Sequence, residues 1–102
     1  MSEAYLIDTH CHLNYEYDNG KTAPQLVEAC LMNNVKYQIT IATDHTNFAE
    51  VQKISENLPS VFHTIGVHPH EASLVTDEIL QTMRTYLNHP KCVAVGEIGL
   101  DY

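Results

Sequence analysis

Four short runs of β-branched and aromatic residues recur along this chain, and the distance between them limits the fold more than any other feature. They are Tyr5 to Thr9, Tyr37 to Thr43, Val61 to Val67 and Cys92 to Val95. Each has the length and residue type of a strand inside a sheet. Their starts lie 32, 24 and 31 residues apart (5 to 37, 37 to 61, 61 to 92). Hairpins join neighbouring strands through a few residues, whereas a parallel pair needs a crossover of a dozen or more, usually a helix. The spacing therefore predicts successive βα units feeding one parallel sheet.

The intervening segments carry helical spacing. Thr22-Ala23-Pro24-Gln25 reads as a capping box with proline in the first turn, followed by Leu26, Val27, Cys30 and Leu31 at i, i+4 separations, with Asn33-Asn34 as the stop. A second helix starts near Thr46-Asn47, aligns Phe48, Val51, Ile54 and Leu58, and ends at Pro59. A third begins at Thr76, places Asp77 and Glu78 at the positive end of its dipole, and runs through Ile79, Leu80, Met83, Tyr86 and Leu87 to His89-Pro90. Glu16 to Lys21, with Asp18-Asn19-Gly20, reads as a loop. With 44% apolar and 18% charged residues in 102, and no linker or low-complexity stretch, the composition suits one packed domain and excludes a disordered chain.

Thirteen acidic residues face five cationic ones, a net charge of −8. This excludes a broad basic footprint on nucleic acid, so any attraction to phosphate has to be local. Seven histidines outnumber the lysines and arginine together, and neutral imidazole is the commonest metal ligand. Cys11, Cys30 and Cys92 are odd in number with no C-x-x-C pair, which suggests neither a disulfide framework nor a thiolate zinc site and fits a reducing compartment. The N-terminus lacks the basic stretch and apolar run of a signal peptide, and no apolar span approaches the roughly 18 residues of a membrane helix. The expectation is a cytoplasmic protein with no membrane partner.

In parallel α/β proteins ligands bind at the carboxyl ends of strands, and three of the four predicted strands end in a polar cluster. These are Asp8-Thr9-His10-Cys11-His12, Gly66-Val67-His68-Pro69-His70 and Gly96-Glu97-Ile98-Gly99-Leu100-Asp101-Tyr102. In an extended backbone His10 and His12 point to one side, where both imidazoles can ligate one cation, and Cys11 faces away. The competing reading is two solvated loop histidines. Glu97 follows a strand expected to be buried on both faces, where a carboxylate is costly unless it is paired or binds a metal. A salt bridge or backbone donors would satisfy it equally. Gly96 and Gly99 would let the backbone bend or another group approach closely.

His68 and His70 share a face if the chain stays extended through Pro69, and either can ligate, accept a hydrogen bond or hold a phosphate oxygen. Asp8 and Asp101 read as supporting carboxylates. His45 reads as polar surface, His63 as packed or hydrogen-bonded in mid-strand, and His89 as a favourable cation in a last helical turn. Cys30 and Cys92 look like small core residues.

Together the three motifs resemble the TatD family of metal-dependent deoxyribonucleases, among the amidohydrolase-like barrels. The matching stretches are Ile7 to Leu13, Gly66 to Ala72 and Ala94 to Tyr102, in an order and spacing that cover essentially the whole chain. The resemblance implies a (β/α)8 TIM barrel, with His10 and His12 as ligands of one metal, Glu97 as a carboxylate bridging two, and His68 near the substrate phosphate. It implies two divalent cations per complete site (Mg²⁺, Mn²⁺ or Zn²⁺), a metal-activated water as nucleophile and DNA, as single strands or ends, as substrate.

A complete barrel takes about 250 residues, so residues 1–102 are expected to form the first three and a half βα units, the N-terminal fragment of such a hydrolase. Further histidine and aspartate ligands of the family come from later strands. The outer strands then become sheet edges that invite self-association, and activity of this chain is expected to be weak or absent. The alternative is a non-catalytic α/β remnant, or a metal-binding or interaction module.

Overall fold

A computed structural model describes residues 4–15 and 20–99. The strands are β1 (Leu6–Cys11), β2 (Val35–Ile41), β3 (Val61–Ile65) and β4 (Cys92–Val95), and the helices between them are α1 (Ala23–Met32), α2 (Phe48–Asn57) and α3 (Asp77–Leu87). All neighbouring strand pairs are parallel, in the order β1-β2-β3-β4. This is the α/β arrangement that the spacing of the apolar runs predicts. Residues 16–19 of the expected 16–21 loop, and Leu100, Asp101 and Tyr102 of the third motif, lie outside the described residues.

Local chemistry explains the helix boundaries. Thr22 Oγ1 accepts the Gln25 N–H while the Gln25 side chain accepts the Thr22 N–H at 2.8 Å, so the capping box forms. Asn33 caps the end of α1, and Asn34 takes φ +64°, a conformation asparagine tolerates better than most residues. Thr76 caps α3 through Ile79 N–H. α2 starts where expected, with Asn47 at its N-cap position, but the chain enters it in a way that the sequence pattern does not show. A 3₁₀ turn, His45–Asn47, precedes it, and its cap is Asp44, whose carboxylate accepts the Thr46 N–H at 2.6 Å.

The core lies between the sheet and the helices. Ala42, Phe48, Val51, Ile65 and Val67 form one cluster, covered by Ile79, Met83, Tyr86 and Leu87 of α3 and by Cys92. Leu13, Val27 and Val61 form a second with Leu26, Ile54 and Leu58. Complete burial of Phe48 contributes on the order of 2–3 kcal/mol. The outer strands behave differently: Leu6 and Ile7 on β1 and Val93 and Val95 on β4 are at least half exposed. No helix among the described residues is long and apolar enough to cross a membrane.

Candidate metal centre

β1 runs two residues beyond the end of its apolar stretch, so His10 lies in the strand and His12 immediately after it. Their rings converge edge to face with centroids 5.2 Å apart, despite a register shift between Asp8 and Cys11. Asp8 supports the backbone there, accepting the His10 N–H at 3.1 Å. Cys11 turns the other way and donates to the Ile39 carbonyl at 3.3 Å. Burial, reinforced by the Asp8 carboxylate, pushes its thiol up to about 12, so at neutral pH it is no thiolate ligand. His12 Nδ1 lies 3.3 Å from the Ile41 carbonyl. A carbonyl can only accept, so Nδ1 carries the proton and the lone pair is on Nε2, the arrangement by which a backbone group orients a ligating imidazole.

Glu97 arrives from the far edge of the sheet. Gly96 N–H donates to Ile65 O at 2.9 Å, Glu97 N–H to Ala42 O at 3.1 Å, and Thr64 Oγ1 to Gly96 O at 2.8 Å, which draws the end of β4 against β2 and β3. A Cβ on Gly66 would stand 2.4 Å from the Gly96 carbonyl carbon. The close approach anticipated at Gly96 is thus one that requires glycine at Gly66. Gly99 does take a positive φ of 147°.

The reason first given for Glu97 needs correction. β4 is not buried on both faces, and the Glu97 side chain is 28% exposed. Its neighbours account for the carboxylate instead: Oε1 lies 3.3 Å from His10 Nε2 and Oε2 lies 3.1 Å from His68 Nε2. His10, His12 and Glu97 each offer one ligand atom, and these atoms lie within 4.8 Å of one another. Strands at opposite edges of the sheet thus converge on one point.

The chain does not stay extended through Pro69. Pro69–Leu74 form a 3₁₀ helix capped by His68, whose Nδ1 accepts the His70 N–H at 3.1 Å. With Nδ1 accepting, a neutral His68 carries its proton on Nε2 and donates it to Glu97. His70 packs against the His68 ring, with centroids 4.7 Å apart. His45 sits on the exposed 3₁₀ turn before α2. His63 is fully buried and bonded to Ser55 Oγ at 2.6 Å, as a packed mid-strand histidine should be. His89 lies beyond the end of α3, where it contacts Glu56 at 3.1 Å and the His63 ring at 5.2 Å, so more than a helix dipole explains it.

One residue that the motifs did not single out joins the site. Tyr15 N–H donates to His12 O at 3.2 Å, closing a turn that lays the Tyr15 ring flat on His12, with centroids 4.4 Å apart and planes 6° from parallel. Its only sequence signal is an aromatic three residues after His12 in a turn-prone stretch.

Two imidazole nitrogens and a carboxylate oxygen form a donor set suited to Zn²⁺ or Mn²⁺ and compatible with Mg²⁺. His10, His12 and Glu97 are the residues that would hold such an ion. A parallel α/β sheet with such a group at the carboxyl ends of its strands is the arrangement that barrel-type metal-dependent hydrolases use. The chain belongs to the family described as TatD related DNase, whose model matches residues 7–102.

Its fold superposes on the crystal structure of YjjV, a TatD homologue from Escherichia coli K12, with a TM-score of 0.84 and 34% identity over 94% of this chain and 38% of that one. These four strands thus form the first three and a half βα units of the barrel. An uncharacterised metal-dependent hydrolase of Buchnera aphidicola is 35% identical over 96% of this chain and 37% of its own length. A protein named 3'-5' ssDNA/RNA exonuclease TatD, from Musicola paradisiaca, is 43% identical over 49% of this chain and 19% of its own. The chain spans two-fifths or less of the length of the relatives it matches over most of its own.

Proposed function

We propose that residues 1–102 are the N-terminal part of a metal-dependent nuclease barrel, with His10, His12 and Glu97 holding divalent cations and His68 binding the substrate phosphate. The observation that carries this reading is the convergence of His10, His12 and Glu97 within 4.8 Å. A divalent cation held there supplies Lewis acidity toward a phosphoryl oxygen and lowers the pKa of a water. The residues do the rest. The Ile41 carbonyl fixes the His12 tautomer, Glu97 spans His10 and His68 with its two oxygens, and His68 Nε2–H is a donor suited to an anionic oxygen.

The substrate is single-stranded nucleic acid, DNA above all, attacked at its strands or ends; the printed name of the Musicola paradisiaca relative supports this class. Two cations per complete site and a cytoplasmic setting belong to the same reading. Titration with Mn²⁺ or Zn²⁺, followed by calorimetry, tests it. His10→Ala, His12→Ala and Glu97→Gln should each weaken binding at least ~10-fold, the low end for disturbing a metal shell. Equal affinity in all three variants would reduce the cluster to surface histidines.

A further inference from the structure

We infer that a cavity beside the histidine cluster is a binding track for the phosphate backbone of a single strand, an inference that rests on the nuclease reading above. The cavity has a volume of about 520 Å³ and opens between the start of α1 and the side of α2. That volume lies within the range of ligand-binding clefts, roughly 300–1,000 Å³. Its walls include Asn14, Tyr15, Lys21, Thr22, Glu50 and Lys53.

Charge distribution singles it out. The chain owns five cationic side chains against thirteen acidic ones. Lys36 lies over the Tyr5 ring at 4.9 Å. Lys91 donates to the carbonyls of Ser55, Leu58 and Pro59, and Arg84 sits in the last turn of α3. Two of the five, Lys21 and Lys53, come from separate elements and both line this one cavity. A polyanion repelled by the chain's −8 overall meets local positive charge there.

The cavity also leads to the candidate metal centre. Tyr15 lines it and, in addition, a smaller cavity of about 240 Å³ walled by Thr43, Asp44, His68, His70 and Glu71. One Tyr15 face stacks on His12, and 44% of the residue remains exposed. An aromatic ring beside a cationic groove is how single strands are held without reading their sequence: bases stack while ammonium groups follow the phosphates. The track thus runs from Lys53 and Lys21, past Tyr15, toward His68 and Glu97. Glu50 opposes it.

The test measures anisotropy of a short fluorescein-labelled oligo(dT), and of an abasic strand of equal length, with the 102-residue chain and no added metal. The double variant Lys21→Gln/Lys53→Gln should bind oligo(dT) ~10-fold more weakly. It should also flatten the fall of log K with log salt by about 1.4, since each single-strand phosphate contact contributes about 0.7. Glu50→Gln should tighten binding, and Tyr15→Leu should weaken oligo(dT) more than the abasic strand. If the unmodified chain binds oligo(dT) and the double variant matches it in affinity and salt slope, the track is wrong and the nuclease reading stands. If the unmodified chain binds neither strand at low salt, the track is wrong, while the nuclease reading stands or falls on the metal titration above.

Discussion

His63 shows how one buried side chain sets a pH limit on the fold. Ser55 Oγ donates its single proton to the Gln52 carbonyl at 2.9 Å, so its 2.6 Å contact with His63 Nδ1 must be one in which the imidazole donates. Nε2 then holds a bare lone pair, buried and with no hydrogen-bond partner. Protonation would place a charge in that site. Burial, then His89, lowers the His63 pKa to about 4, with Lys91 acting in the same direction and Glu56 against it. The folded pKa lies below the unfolded value near 6.5, so the stabilisation is complete above pH 6.5 and is lost as pH falls from there toward 4. At about 1.4 kcal/mol per unit the full loss is about 3–4 kcal/mol. Urea unfolding across that range should show the drop, and His63→Leu should flatten it relative to the unmodified chain; an unchanged acid limb in His63→Leu would show that other groups govern it. Gly66 limits the fold through space. Gly66→Ala sets a methyl 2.4 Å from Gly96 carbonyl carbon, and backbone on both sides cannot yield cheaply. A destabilisation of about 2–3 kcal/mol is expected, with metal affinity falling alongside because Glu97 is displaced. Calorimetric melting and Mn²⁺ titration of this variant check both, and a native melting temperature would show that the β3–β4 contact can relax.

At the scale of elements, local chemistry made much of the fold readable. The capping box of α1 involves only Thr22 and Gln25, so removing it should be a local loss: Thr22→Ala is expected to cost about 1 kcal/mol in denaturant unfolding. A neutral result would mean that α1 is held by Val27 packing alone. The same locality explains why apolar run, crossover length and cap together located the four strands and three α-helices among the described residues. Features set by tertiary contact were less legible. The cap at Asp44 was missed because the 3₁₀ turn before α2 is tied by Asn47 to Thr43, a contact that periodicity does not encode. The bend at Pro69 was missed because His68, read as a site residue, also caps that turn. The convergence of His10 and His12 was legible from strand alternation, but the arrival of Glu97 depends on β4 folding against β2 and β3. The lysine cavity was invisible, since Lys21 and Lys53 are 32 positions apart (53 − 21) and meet only when α1 and α2 pack.

For the whole molecule, shape and surface argue together. The radius of gyration is 14.5 Å with extents of 49 × 31 × 28 Å, against about 13 Å for a compact domain of roughly 100 residues. Helices protect one side of the sheet, while Leu6, Ile7, Val93 and Val95 leave the two outer strands bordered by apolar side chains. Exposed strand edges with apolar borders pair with other chains. Self-association through β1 and β4 should therefore accompany folding of the 102-residue chain. Sedimentation velocity should show mass rising with concentration, and Leu6→Lys with Val93→Lys, which place charge on both edges, should shift the population to monomer. Leu6 lies four residues before His10 and Val93 four before Glu97, so metal titration of the double variant belongs in the same experiment: retained affinity with lost association separates edge pairing from misfolding. A chain that stays monomeric at all concentrations and melts cooperatively would show that its two core clusters suffice without covered edges.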